Sequence, residues 1–260
     1  MTAPRDDHAF AAWLAEQAGA RLLEVRATSG LGGKELKDAG DAAAQALLGE
    51  LLGVHRPHDA VLSEEEIETH GDAGRLTAER VWIIDPLDGT REFSEPPRDD
   101  WAVHVALWSG GELVAGAVAQ PALGETFHTG VPPVVPGLDE PDHRQGQPPR
   151  IAVSRSRPPA FVAALAEELG AELVPMGSAG VKMMSVVRDV ADAYVHAGGQ
   201  YEWDSAAPVA VAAAAGLHTS RVDGSPLVYN RADPYLPDVV VCRPALAGPI
   251  LAFIERHGID

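Results

Sequence analysis

Apolar side chains recur at helical spacing through residues 8–25, where Phe10, Trp13, Leu14, Ala18, Leu22 and Val25 fall on one face. A second helix is predicted over 40–52. Leu47, Leu48, Leu51 and Leu52 form its apolar side and Gly53 its stop. The pattern then shifts to short apolar runs at 60–62, 81–84, 102–108 and 113–119. Ser109-Gly110-Gly111-Glu112 joins the last two and reads as a hairpin turn. The first half is therefore expected to be two helices followed by a largely antiparallel sheet.

Residues 130–149 break this pattern with Pro132, Pro133, Pro136, Pro141, Pro148 and Pro149. Such a stretch can supply neither ladder donors nor a helix interior. It marks the best boundary in the chain, with units expected at 1–135 and 150–260 and a connector at 136–149. Beyond it, strands (151–153, 172–175, 193–196, 239–242) alternate with helices (159–169, 179–190, 205–215, 245–257). Alternation of this kind builds a sheet covered by helices, so the expected class is α/β, layered.

Composition narrows the picture. The 260 residues are 46% hydrophobic and 22% charged, ordinary globular usage that excludes disorder for most of the chain. Lys+Arg number 20 against 38 Asp+Glu, a net charge of −18, which argues against nucleic-acid polymers and basic membrane-surface roles. A lone Cys242 leaves no intrachain disulfide and no cysteine zinc site. No apolar run nears the roughly 20 residues of a membrane span, and the N-terminus lacks a signal-peptide core. A cytoplasmic protein is the expectation.

Chemistry concentrates at Trp82-Ile83-Ile84-Asp85-Pro86-Leu87-Asp88-Gly89-Thr90. Two carboxylates on a tight turn at a strand end can converge on one point, and hard cations such as Mg²⁺ prefer such oxygens. The Gly89 and Thr90 amides would face the same point and favour an anion. A plainer reading is a strand, an Asx-turn and a helix cap. Glu64 ends another apolar run, whereas Glu65, Glu66 and Glu68 read as solvated carboxylates. Asp204, before an alanine-rich stretch, is an obvious helix N-cap or a further metal-facing carboxylate. His104, inside a strand, reads as a packed core residue. Several enzyme classes fail on spacing. There is no Asp-x-Asp nucleophile unit, no Gly-x-x-x-x-Gly-Lys loop, no Gly-x-Ser-x-Gly elbow and no His-x-x-x-His pair.

Together, Leu62-Ser63-Glu64-Glu65, the Asp85–Thr90 motif and Glu202-Trp203-Asp204-Ser205-Ala206-Ala207 make the chain resemble the inositol-monophosphatase superfamily. Within it the likeness is to CysQ-type 3′(2′),5′-bisphosphate nucleotidases of the actinobacterial form. It is carried further by Asp99-Asp100-Trp101, His196-Ala197-Gly198-Gly199-Gln200-Tyr201 and Asp233-Pro234-Tyr235-Leu236-Pro237-Asp238. The resemblance implies a two-domain αβαβα sandwich and a lithium-sensitive phosphatase using two or three Mg²⁺ ions. It implies a soluble small-molecule substrate and a possible homodimer. Implied metal ligands are Glu64, Asp85, the Leu87 carbonyl, Asp88 and Asp204. Asp41 and Thr90 would flank the attacking water, and the Gly89 and Thr90 amides would hold the phosphate. Gly177-Ser178-Ala179-Gly180-Val181-Lys182 resembles a nucleotide-phosphate segment through Ser178 and Lys182, with Ser154 and Arg155 as helpers. Lys182 reads alternatively as an exposed helix lysine.

The implied reaction removes the 3′-phosphate of adenosine 3′,5′-bisphosphate, and of 3′-phosphoadenylyl sulfate, by metal-activated water, a step in sulfur metabolism. The adenine would lie near Tyr201, Tyr229 or Asn230. Inositol monophosphate or fructose 1,6-bisphosphate are rival substrates, and a non-catalytic binding protein is the rival class. Many bacterial relatives carry Lys-x-Asp-x-Ser-Pro-x-Thr before the position of Asp41. Here Lys34-Glu35-Leu36-Lys37-Asp38-Ala39-Gly40-Asp41 lacks the Ser-Pro-x-Thr part. Asp41, Glu64, Asp85, Asp88 and Asp204 would make a pocket of about −5, which two or three divalent cations roughly cancel.

Overall fold

The computed structural model describes residues 3–64, 67, 74–138, 140, 144–156 and 158–259. Glu65, Glu66 and Glu68 lie outside them. Helix α1 (Asp7–Thr28) is capped by Asp6, whose carboxylate accepts from the Ala9 N–H at 2.9 Å. Helix α2 (Gly33–His55) begins well before the 40 read from its leucines. Residues 33–39 contribute one buried apolar side chain, Leu36, too little periodicity to register as a helix face.

The first sheet runs β1 (Ala60–Leu62), β2 (Arg80–Asp88), β3 (Ala102–Ser109), β4 (Glu112–Gln120) and β5 (Glu125–His128), in that spatial order. β1 pairs parallel with β2, and the other neighbours are antiparallel. β5 has no counterpart in the sequence reading, since its four half-buried residues carry one large apolar side chain, Phe127. A single helical turn, α3 (Thr90–Phe93), follows β2.

The second sheet holds β6 (Arg150–Ser154), β7 (Glu172–Met176), β8 (Ala193–Tyr201), β9 (His218–Ser220) and β10 (Tyr235–Cys242), in the order β7-β6-β8-β10-β9. Its helices are α4 (Ala160–Leu169), α5 (Ala179–Val187), α6 (Glu202–Ala214) and α7 (Pro244–His257). No helix among the described residues is long and apolar enough to cross a membrane.

Alternation along β2 shows how the layers form. Trp82 and Ile84 point to one side and join Phe10, Leu14, Leu22 and Leu48 of α1 and α2. Val81 and Ile83 point to the other and join Met183 and Met184 of α5 and Ala206 and Val209 of α6. The same middle cluster takes Ala152, Tyr194 and Val239 from the second sheet. On the far face of that sheet, Ile151, Val195 and Val240 pack with Leu165 of α4 and Phe253 of α7. The architecture is thus an αβαβα sandwich, with α5 and α6 as its middle layer. Close approach there needs small side chains, because a Cβ on Gly116 of β4 would sit 2.7 Å from the Ala210 methyl of α6.

α6 starts earlier than expected, and Asp204 is not its N-cap. Tyr201 holds that position with extended backbone, and Asp204 stands at N3 with its carboxylate accepting from the Tyr201 N–H at 2.7 Å. Pro208 consequently lies inside the helix rather than in its first turn, and cannot donate to the Asp204 carbonyl.

Candidate active site

Residues three apart on a regular strand face opposite sides of the sheet. Asp85 and Asp88 escape this through a bulge. Asp85 pairs with His104 and Asp88 with Ala102, so three steps on β2 match two on β3. Both carboxylates then point into the middle layer. Pro86, which has no N–H to give a ladder, is tolerated at such an irregularity. β2 therefore continues through the motif to Asp88 instead of ending at Asp85. The Leu87 N–H folds back onto Asp85 Oδ1 at 3.0 Å.

One carboxylate oxygen from each of Asp85, Asp88 and Asp204 lies within 4.8 Å of the others. Asp41, one face of α2, and Glu64, just past β1, share a cleft of about 870 Å³ with them. Leu87, Gly89 and Thr90 line the same cleft. Burial pushes the Asp85 carboxyl well above the usual carboxylate range, with Asp88, Asp204 and Asp41 adding repulsion. Burial likewise lifts Asp204 to about 6, aided by Asp88 and Glu64 and opposed by the Tyr201 N–H. Converging hard oxygens whose mutual repulsion is uncompensated are a donor set that suits a divalent cation.

Asp88 differs. Burial acts upward on it too, but His104, the Ser178 hydroxyl and the Gly180 N–H outweigh that and bring it down to about 2. Ser178 Oγ donates to its Oδ2 at 2.5 Å, the Gly180 N–H to Oδ2 at 2.6 Å and the Ala179 N–H to Oδ1 at 3.2 Å. His104 Nε2 stands 3.2 Å from Oδ2 while its Nδ1 lies 3.1 Å from the Trp203 carbonyl. His104 is fully buried, as a core histidine would be, yet it touches the site.

The remaining residues expected at the substrate sit behind the cleft wall. Ser178 is buried as the N-cap of α5, at φ 50, holding Asp88. Lys182 is buried rather than exposed. Its Nζ donates to the Ser178 carbonyl at 2.6 Å, and burial pushes its pKa down. Arg155 is held by Glu92 at 2.9 Å and Glu95 at 2.8 Å. Ser154 ends β6, half-buried, and Ser156 rather than Ser154 reaches the cleft. Two cations absent from the sequence reading, Lys37 and Arg91, do line it. Lone basic residues on helices give no local signal.

The chain belongs to the inositol monophosphatase family, whose sequence pattern matches residues 8–252. Among individual relatives, the 3′-phosphoadenosine 5′-phosphate phosphatase of Mycobacterium bovis is 52% identical over 247 residues, covering 90% of this chain and 87% of the relative. Its Mycobacterium leprae counterpart is 49% identical, covering 96% and 94%. The 3′(2′),5′-bisphosphate nucleotidase CysQ of Escherichia coli is 31% identical, covering 76% and 81%. Among solved structures, Mycobacterium tuberculosis SuhB superposes with a TM-score of 0.73 at 25% identity, covering 98% of both chains. Inositol monophosphatase-II of Staphylococcus aureus gives 0.75 at 20% identity, covering 96% of both.

Proposed function

We propose that this protein is a Mg²⁺-dependent phosphatase that removes the 3′-phosphate of adenosine 3′,5′-bisphosphate and of 3′-phosphoadenylyl sulfate. The observation that carries the reading is the convergence of the Asp85, Asp88 and Asp204 carboxylates in one cleft. The names of the mycobacterial relatives support the substrate. Glu64, Asp85, Asp88, Asp204 and the Leu87 carbonyl would hold two or three Mg²⁺ ions. Bound there, Mg²⁺ supplies activation of water as nucleophile and offsets charge on the phosphoryl oxygens.

The chain's own groups do the positioning. Asp88 is fixed by the N-terminal end of α5, and Asp204 by the backbone at the start of α6. Asp41 and Thr90 would orient the water, and the Gly89 and Thr90 amides would hold the phosphate. On this reading, 1–135 and 150–260 are two walls of one cleft joined through 136–149. Rates in such transfers come chiefly from positioning and electrostatics.

The test is phosphate release from adenosine 3′,5′-bisphosphate, inositol monophosphate and fructose 1,6-bisphosphate, with Mg²⁺, with and without Li⁺. Preference for the nucleotide, lost on chelation and reduced by Li⁺, is expected. Preference for a sugar phosphate would overturn the substrate, and release from none would leave a binding protein.

A further inference from the structure

Acids dominate the charged residues of the cleft wall. Seven carboxylates line it, and among the described residues its only cations are Lys37 and Arg91. One phosphate can settle against a carboxylate cluster when divalent cations neutralise that cluster. A second phosphate on the same molecule brings further negative charge, which the remaining wall would repel. Lys182 and Arg155 cannot serve it in this arrangement. The first is buried on its own backbone carbonyls, the second is spent on Glu92 and Glu95, and neither reaches the cleft.

Lys37 and Arg91 are placed for that task. Lys37 precedes Asp41 by one turn of α2, so its side chain shares that face of the helix. Arg91 directly follows Thr90. The two elements touch, since Gly40 of α2 is so close to Phe93 of α3 that a Cβ would lie 2.5 Å from the ring. Both cations are exposed, and no ion pair holds Lys37 among the described residues. Arg91 meets Glu95 through Nε at 3.1 Å, a solvated pair of the kind worth little, and its terminal nitrogens keep their donors.

We propose that Lys37 and Arg91 form the subsite for the second, non-scissile phosphate, and so make the enzyme prefer bisphosphates over monophosphates. The assignment rests on the phosphatase reading above. It places the carboxylate cluster at the bond that breaks and the two cations at the phosphate that stays.

The experiment compares kcat/KM for adenosine 3′,5′-bisphosphate with that for adenosine 3′-monophosphate, in the wild type, Lys37→Ala, Arg91→Ala and the charge-keeping Lys37→Arg. Calorimetric binding of adenosine 5′-monophosphate, which retains the second phosphate, is read alongside. Loss of one charge-assisted phosphate contact is expected to cut the bisphosphate-to-monophosphate ratio about tenfold in each alanine variant. Binding of the 5′-monophosphate should weaken in parallel, and Lys37→Arg should keep most of both. Alanine variants that hold the wild-type ratio would overturn the subsite, as would equal losses on both substrates. A wild type that releases no phosphate from the bisphosphate overturns the phosphatase reading itself, a result visible before any variant is made.

Discussion

Gly180 of α5 lies so close to His104 that a Cβ there would stand 1.9 Å from the ring's Nε2. The glycine lets the start of α5 descend onto Asp88, which His104 also contacts. Gly180→Ala must move either the imidazole or the helix. Overpacking of this kind costs about 1–3 kcal/mol. Urea unfolding is expected to show that loss, together with a drop in phosphatase turnover. A variant of unchanged stability and turnover would mean that the His104–Asp88–Gly180 contact is not needed.

Removing one charge from the carboxylate cluster should separate folding from function. Asp85 is buried among like charges, so Asp85→Asn relieves repulsion in the metal-free protein. Thermal unfolding without metal should be unchanged or shifted upward, as for other strained sites. Mg²⁺ at about a hundred times its dissociation constant should add roughly 2.7 kcal/mol to the wild type and far less to the variant. Activity should fall by at least about a hundredfold. Equal Mg²⁺ stabilisation of both proteins would remove Asp85 from the ligand set.

Divalent-ion binding should carry a pH signature. Burial and like charge lift Asp204 to about 6 and raise Asp85 as well, so protons compete with a cation for this cluster in mildly acidic, metal-free protein. A cation binds the deprotonated form, so affinity should be highest above these values. It should weaken as pH falls through about 6, by about tenfold per pH unit for each proton displaced. Calorimetry in two buffers of different ionisation enthalpy reads the released protons directly. A Mg²⁺ affinity that is flat from pH 8 to pH 5 would contradict the picture.

A separate cluster governs stability in acid. Asp192 accepts from the Arg150 N–H at 2.8 Å, from Arg150 Nε at 3.0 Å and from Arg243 Nε at 3.1 Å. Burial acts upward on it, but these donors outweigh burial and hold its pKa below the ordinary value. Its stabilisation is therefore present above the unfolded value of about 3.9 and is lost as pH falls through the folded one. Asp192→Asn is expected to cost about 2 kcal/mol at pH 7, the worth of hydrogen bonds to a charged group, and much less near pH 2. Denaturant titrations at the two pH values measure the difference.

Much of this was open to reading in the linear chain, and the failures have physical causes. The Asp85–Thr90 motif announced its site because apolar strand, proline, carboxylates and glycine are contiguous. The bulge that turns both carboxylates the same way depends on β3 and left no trace in composition. Lys182 read as a phosphate contact or, alternatively, as an exposed helix lysine, yet carbonyls four and five residues back satisfy its amine inside. Asp204 read as a metal-facing carboxylate or as a helix N-cap, and the second reading failed because the extended Tyr201 backbone took that place. Lys37 and Arg91 meet in one cleft only after α2 and α3 pack, which no local pattern encodes.

The middle helices also set an order of events during synthesis. Leu62, Val81, Ile83, Ala106 and Val118 are covered by α5 and α6, whose residues are made long after β5. A nascent chain that has just completed its first sheet thus presents one finished face, covered by α1 and α2, and one bare apolar face. That face stays open until residue 214 has left the ribosome, so the amino-terminal half alone exposes apolar surface of the kind that makes partly made chains prone to aggregate.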